Sequence, residues 1–241
     1  MPWTRGEPLT AVHRERLLRT GVLPEVMDGL ALRQVVAPLP AWWHEQGNAL
    51  YLRDGMTVPP KLIETMTLYP FSDALLVIAT GMEHVVSLLL GGDGALVFIG
   101  PGTYLSAGEI YCGAGSSVVL NSKVVGTSRP MLDARNGGSI VAESDQLWAG
   151  GVYIATDDMH RFEDAATGAR LNPFGAHIRL CRHVWLGRDV IVTGDVEIGE
   201  GAVVGMRALV RNQKVPPRVA VAGTPARVIR EGVTWSPDDV P

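Results

Sequence analysis

The chain has 241 residues, of which 46% are apolar, and carries 25 acidic against 21 basic side chains for a net charge of −4 and a pI near 5.9. That length allows a buried core in one or two domains, while the acidic balance argues against a nucleic-acid binder, and no apolar run approaches the ~20 residues of a membrane-spanning helix. Only Cys112 and Cys181 are present, far apart, which excludes a disulfide framework and points to a reducing cytoplasm.

The first residues carry Arg5, Glu7, His13, Arg14, Glu15 and Arg16, so they do not read as a signal peptide. Residues 8–37 read as helical. One segment from Thr10 to Thr20 stops at Gly21, and a second opens with Pro24 at a first-turn position and ends before Pro38. Between Pro38 and Pro70, prolines mix with Trp42, Trp43, Tyr51 and Tyr69, which suits an irregular or short-stranded cap whose aromatics are buried rather than stacked on a sugar. The cap is expected over residues 1–73.

Leu75 to Ala79 and Val85 to Leu90 are short strand-like runs. Coiling is expected from 74 to 230, followed by a tail over 231–241. Apolar positions Val97/Ile99, Leu105, Ile140/Ala142, Trp148 and Val152/Ile154 keep a ragged six-residue beat. Its register is lost twice, which predicts loop excursions near 121–138 and 156–177.

From Ile178 the beat becomes regular: Ile178/Leu180, Val184/Leu186, Val190/Val192, Val196/Ile198, Ala202/Val204 and Ala208/Val210. At this composition, twelve apolar positions in step arise by chance about once in ten thousand trials. A helix repeats every three or four residues and a lone strand every two, so a period of six marks a chain wound into flat-faced coils. Gly187, Gly199 and Gly205 each follow an inward Leu186, Ile198 or Val204, where a turn between short strands favours a residue without a Cβ. The fold class predicted is mainly β, a parallel β-helix behind an N-terminal helical and irregular cap.

Three features stand out chemically. His160 follows Thr156-Asp157-Asp158-Met159 at the start of the second excursion, and imidazole suits proton transfer near neutral pH. Trp185, between inward Val184 and Leu186, must point outward, where its ring needs cover. Arg207, Arg211, Lys214, Arg218, Arg227 and Arg230 form a basic run with no acidic residue, leaving −10 for everything else, which predicts a local anion site.

Val184-Trp185-Leu186-Gly187, Val203-Val204-Gly205, Pro216-Pro217 and Val221-Ala222-Gly223-Thr224-Pro225-Ala226-Arg227-Val228-Ile229-Arg230, with Asp158-Met159-His160 upstream, resemble the hexapeptide-repeat acyltransferases, especially their sugar O-acetyltransferase branch. The resemblance implies a left-handed winding, unusual among crossovers, and a homotrimer with acyl-CoA bound between neighbouring coils. It implies His160 as general base, with Asp158 orienting the ring or stabilising its charged form, although Asp157 or a backbone carbonyl is an alternative for the orienting. It also implies that Trp185 lines the site between subunits and that a backbone N–H near Gly187 and Arg188 holds the oxyanion. Met206 and Arg211 match positions that contact the pantetheine arm, and Arg227 and Arg230 those that bind the nucleotide end. The chain departs from the pattern at Met206-Arg207-Ala208, where small residues and a hydroxyl are usual, at Arg211-Asn212, which replaces Thr-Lys, and by one extra residue before Pro216. Those departures leave open whether the acyl group is acetyl.

The resulting expectation is a cytoplasmic, acetyl-CoA-dependent O-acetyltransferase acting on a saccharide in polysaccharide or glycoconjugate synthesis, with no metal and no nucleic-acid partner. An amine acceptor is the alternative within enzymes, and a non-catalytic scaffold the alternative outside them. A zinc enzyme is disfavoured: His177 and His183 are six apart, on successive faces of one coil, and a close histidine pair separated by four residues is absent.

Overall fold

A computed structural model describes residues 3–172 and 174–238. The cap comprises β1 (Thr4–Pro8), α1 (Ala11–Arg19), α2 (Pro24–Met27), β2 (Leu32–Ala37), α3 (Ala41–Glu45), β3 (Ala49–Arg53) and α4 (Pro60–Met66). Thr10 caps α1 by accepting from the His13 N–H, and Gly21, at φ +106°, lies just past its end. The second expected helix is four residues long, and its remainder is strand. Leu32–Ala37 pairs antiparallel with β1 on one side and β3 on the other. Those non-local partners suit the β-branched Val35-Val36 better than a helix does.

The coils follow in order: β4 (Leu75–Ile78) and β5 (Val85–Gly91); β6 (Leu96–Ile99), β7 (Tyr104–Leu105) and β8 (Gly108–Gly113); β9 (Ser117–Leu120), β10 (Val124–Gly126) and β11 (Met131–Ala134); β12 (Ser139–Ala142), β13 (Gln146–Trp148) and β14 (Tyr153–Ala155); β15 (His177–Leu180), β16 (Val184–Leu186) and β17 (Ile191–Ile198); β18 (Val203–Val204) and β19 (Leu209–Val215); β20 (Val219–Ala222) and β21 (Arg227–Glu231). All pairings from β3 through β20 are parallel and the last, β20 with β21, is antiparallel. The result is a parallel β-solenoid of about seven turns. Face one stacks β3, β4, β6, β9, β12, β15 and the second halves of β17 and β19. Face two stacks β7, β10, β13, β16, β18 and β20. Face three stacks β5, β8, β11, β14 and the first halves of β17 and β19.

The coil length explains where the beat is regular. Ile178 pairs with Val196 and Ile191 with Leu209, a step of 18, three sixes. Upstream, Leu75, Leu96, Ser117 and Ser139 stack at steps of 21, 21 and 22, so extra corner residues shift the beat. For that reason residues 121–138, expected as an excursion, form a complete coil through β10 and β11. The excursion after β14 is present: Ser139 stacks on His177, 38 residues on, and residues 158–172 lie outside the coil between them.

All twelve apolar positions of the regular beat are buried, each fully buried aliphatic side chain contributing ~1.5–3 kcal/mol. Outside the coil, the faces differ. On face one, Ala49, Tyr51, Leu75, Val77, Leu96, Phe98 and Val119 lie under Leu17, Val22, Val26 and Met27 of the α1–α2 region. Beyond that cover, the face turns polar at His177, Arg179, Glu197 and Lys214. Face two presents an outward column, Tyr104, Val125, Leu147, Trp185, Val203 and Ala220. Face three presents Met131, Tyr153, Ile191 and Leu209 in register.

Candidate functional site

The excursion carrying His160 leaves the solenoid at the corner between faces three and one. Its base is fixed by buried polar groups. Thr156 Oγ1 accepts from the Arg135 N–H at 2.8 Å. The buried Asp157 carboxylate accepts from Asn136 Nδ2 at 2.6 Å and lies 3.6 Å from the Arg170 guanidinium. Beyond it the chain doubles back as a hairpin, closed by Leu171 N–H to Phe162 O at 2.7 Å. Asp158 points elsewhere: its Oδ2 lies 3.5 Å from Arg211 on β19. Among the described residues no hydrogen bond reaches the His160 ring, which is exposed, and none joins it to Asp158.

Beside the loop's base, on face three, Arg135 Nε donates to the buried Asp133 at 2.6 Å and its guanidinium sits 4.0 Å over the Tyr111 ring. Burial, with the Asp133 carboxylate nearby, raises the Tyr153 phenol above its usual range, so Tyr153 stays a neutral hydrogen-bonding group. Neither thiol is poised for nucleophilic work. Burial pushes Cys112 up to about 12 and also raises Cys181, with the Glu143 carboxylate adding to it.

The other expected residues gather on a second surface. Trp185 is on face two with 39% of its surface exposed. Arg188 and Met206 occupy adjacent coils at the corner between faces two and three, where Arg207 N–H donates to Arg188 O at 2.8 Å. Arg227 and Arg230 lie on β21, which continues face two as its last strand and is exposed throughout. Neither cation has an acidic partner among the described residues, so both are available to an anion. One chain therefore carries two clusters. His160, Asp158 and Arg211 sit at one border of face three, and Trp185, Arg188, Met206, Arg227 and Arg230 lie at or beyond its other border. Met206 and Arg211 are five residues apart, at most ~17 Å of extended chain.

Two residues that the sequence did not single out join these clusters. Trp235, in the tail, stacks on His183 at 4.1 Å with planes 6° apart and has its centroid 6.4 Å from that of Trp185. Its indole N–H donates to His183 O at 2.8 Å, and Asp145 Oδ2 holds the His183 ring at 2.7 Å. A lone tryptophan in a polar tail was the only signal in sequence. Asn172, near the loop's end, bonds to both His160 and Phe162 backbones, and nothing in the sequence pattern marks it. A cavity of ≈690 Å³ lies between α2 and the corner joining faces one and two, lined by Glu25, Arg53, Lys123 and Arg182, on the other side of the coil from the loop. Among the described residues no three His, Cys, Asp or Glu side chains converge as a metal centre would need. His177 bonds Ser139 and His183 bonds Asp145 instead.

No protein-family model matches the chain. Over 79 residues it is 38% identical to the chloramphenicol acetyltransferase of Agrobacterium fabrum, covering 33% of this chain and 36% of that one. Over 54 residues it is 41% identical to the galactoside O-acetyltransferase of Escherichia coli, covering 22% and 26%. The matches thus span about a third or less of those relatives. In fold, it superposes on the crystal structure of the polySia-specific acetyltransferase NeuO with a TM-score of 0.62 at 24% identity, over 70% of this chain and 77% of that one. The likeness to hexapeptide-repeat acetyltransferases holds both in short stretches of sequence and in the solenoid itself.

Proposed function

We propose that the chain is a CoA-dependent acyltransferase that moves an acetyl group from acetyl-CoA to a saccharide hydroxyl, with His160 as general base. The observation that carries this reading is a single histidine-bearing loop ejected from an otherwise regular solenoid, in a fold shared with an acetyltransferase. His160 removes the acceptor's proton as the hydroxyl oxygen attacks the thioester carbonyl. A backbone N–H near Gly187 and Arg188 holds the developing oxyanion, and the CoA thiolate departs and takes up a proton. Asp158, two residues from His160 and held by Arg211, favours the imidazolium electrostatically. Arg227 and Arg230, unneutralised, receive the phosphates of the donor, Met206 and Arg211 flank its arm, and Trp185 covers its acyl end.

The proposed assembly is a homotrimer. Faces two and three both carry uncovered apolar columns, and the loop exposes Met159, Phe162, Leu171 and Phe174. Such surfaces mark contacts between proteins, and a contact between unlike faces of identical copies closes into a ring when its rotation is a third of a turn. That arrangement would set the His160 cluster of one copy against the Trp185 cluster of the next. Two free cysteines suit a reducing cytoplasm, and no helix is long and apolar enough to cross a membrane.

The test is thiol release from acetyl-CoA across hydroxyl and amino sugars. His160→Ala should lower turnover by ~10²–10⁴-fold with donor affinity kept. Arg227→Ala with Arg230→Ala should do the reverse, weakening the donor with turnover at saturation retained. Full turnover in His160→Ala removes the base from the scheme.

A further inference from the structure

We infer that Asn172 is a positioning residue for His160, acting as a two-ended clamp on the backbone that carries the imidazole; this rests on the reading of His160 as general base. The ring itself makes no hydrogen bond among the described residues, so its placement depends on the main chain beneath it. That main chain is held at two points. Asp157 anchors the lower one through Asn136 and Arg170. The upper one is Asn172, 7% exposed, whose Oδ1 accepts from the Phe162 N–H at 2.9 Å and whose Nδ2 donates to His160 O at 2.9 Å. Both ends of one amide are thus used on residues 160 and 162, and His160 lies between the two anchors.

The side-chain chemistry is specific to asparagine. Alanine supplies neither bond. Aspartate can still accept from Phe162 N–H, but it has no proton for His160 O and sets two oxygen lone pairs against each other. Displacing a catalytic group by about 1 Å can cost on the order of 100-fold in rate, so loss of the His160 bond alone is expected to act on turnover.

Five proteins test this: the wild type, His160→Ala, Asn172→Ala, Asn172→Asp, and Asn172→Ala combined with His160→Ala. Two readouts are needed, steady-state kinetics and amide hydrogen exchange at Phe162. Asn172→Ala should lose Phe162 protection and lower kcat by ~10–100-fold, with KM for acetyl-CoA within about twofold of wild type. Asn172→Asp should keep Phe162 protection yet turn over as slowly as the alanine variant. In the His160→Ala background, Asn172→Ala should have no further effect on kcat. Wild-type turnover in Asn172→Asp, or an undiminished Asn172→Ala effect without His160, would overturn the clamp. If His160→Ala alone turns over normally, the general-base reading falls and the clamp's role with it, whereas unchanged Phe162 exchange in Asn172→Ala removes the clamp and leaves the base standing.

Discussion

At Gly187 a single methyl group would meet the main chain of the next coil: a Cβ there would lie 2.8 Å from Met206 N and 2.9 Å from Val204 O. The sequence marks this glycine correctly as a turn residue after an inward leucine. The cause is close approach of one rung to the next, since its φ is not positive. Left-handed backbone is taken by other residues at the corners, among them Asp145, His183, Asp189 and Arg207. Gly187→Ala should therefore destabilise the fold by ~1–3 kcal/mol, read as a lower urea midpoint with an unchanged m-value. Unchanged stability would mean that the two rungs can slide apart. His160 stands out in the sequence because its residue type and place beside Asp158 are local features. The anchoring roles of Asn172 and Asp157 do not, because a buried polar side chain in a loop has no periodicity, and those roles come from what they touch twelve and twenty-one residues away.

Among the elements, the cap shows where local pattern stops deciding structure. The boundaries of α1 were readable from Thr10 and Gly21. β2 was not, since Leu32 to Ala37 becomes a strand only because β1 and β3 flank it. What joins the cap to the solenoid is equally non-local. Asn121, fully buried, accepts from Leu23 N–H at 2.7 Å and donates to Gly21 O at 3.2 Å and Ala142 O at 3.0 Å. One amide on the corner after β9 thereby fastens the link between α1 and α2 to the wall of the coil. Asn121→Ala leaves those groups unpaired and should cost ~2–3 kcal/mol, with faster amide exchange concentrated at Leu23 and the two helices. Uniform acceleration across all coils would instead show that cap and solenoid unfold as one unit. The tail is tied down in the same manner, by Trp235 on His183, and its fold-back was invisible in a stretch with no repeat.

For the whole molecule, the polarity of the outer faces divides the surface by purpose. Face one is apolar only where helices cover it, whereas faces two and three each carry an apolar column that no helix covers, with Trp235 of the tail beside one member of it, Trp185. Leu147→Arg on face two and Ile191→Arg on face three point away from the core and should leave the fold intact while breaking the assembly. Light scattering should then report 25.9 kDa for either variant and a multiple of it for the parent. A parent that already scatters as a single chain would contradict side-by-side association. The regular six-residue beat announced the winding, because three sixes make one 18-residue turn, while turns of 21 and 22 residues hid the same architecture upstream. The two ends of the stack carry one more consequence. At its start β1 runs antiparallel to β2 with irregular register and bears Arg5, Glu7 and Pro8; at its finish β21 reverses against β20 and bears Arg227, Arg230 and Glu231. A newcomer strand seeking to add to face one beyond β1, or to face two beyond β21, meets backbone of the wrong direction and a fringe of charge, so at those two edges the rod resists growth into a fibre however concentrated the protein becomes.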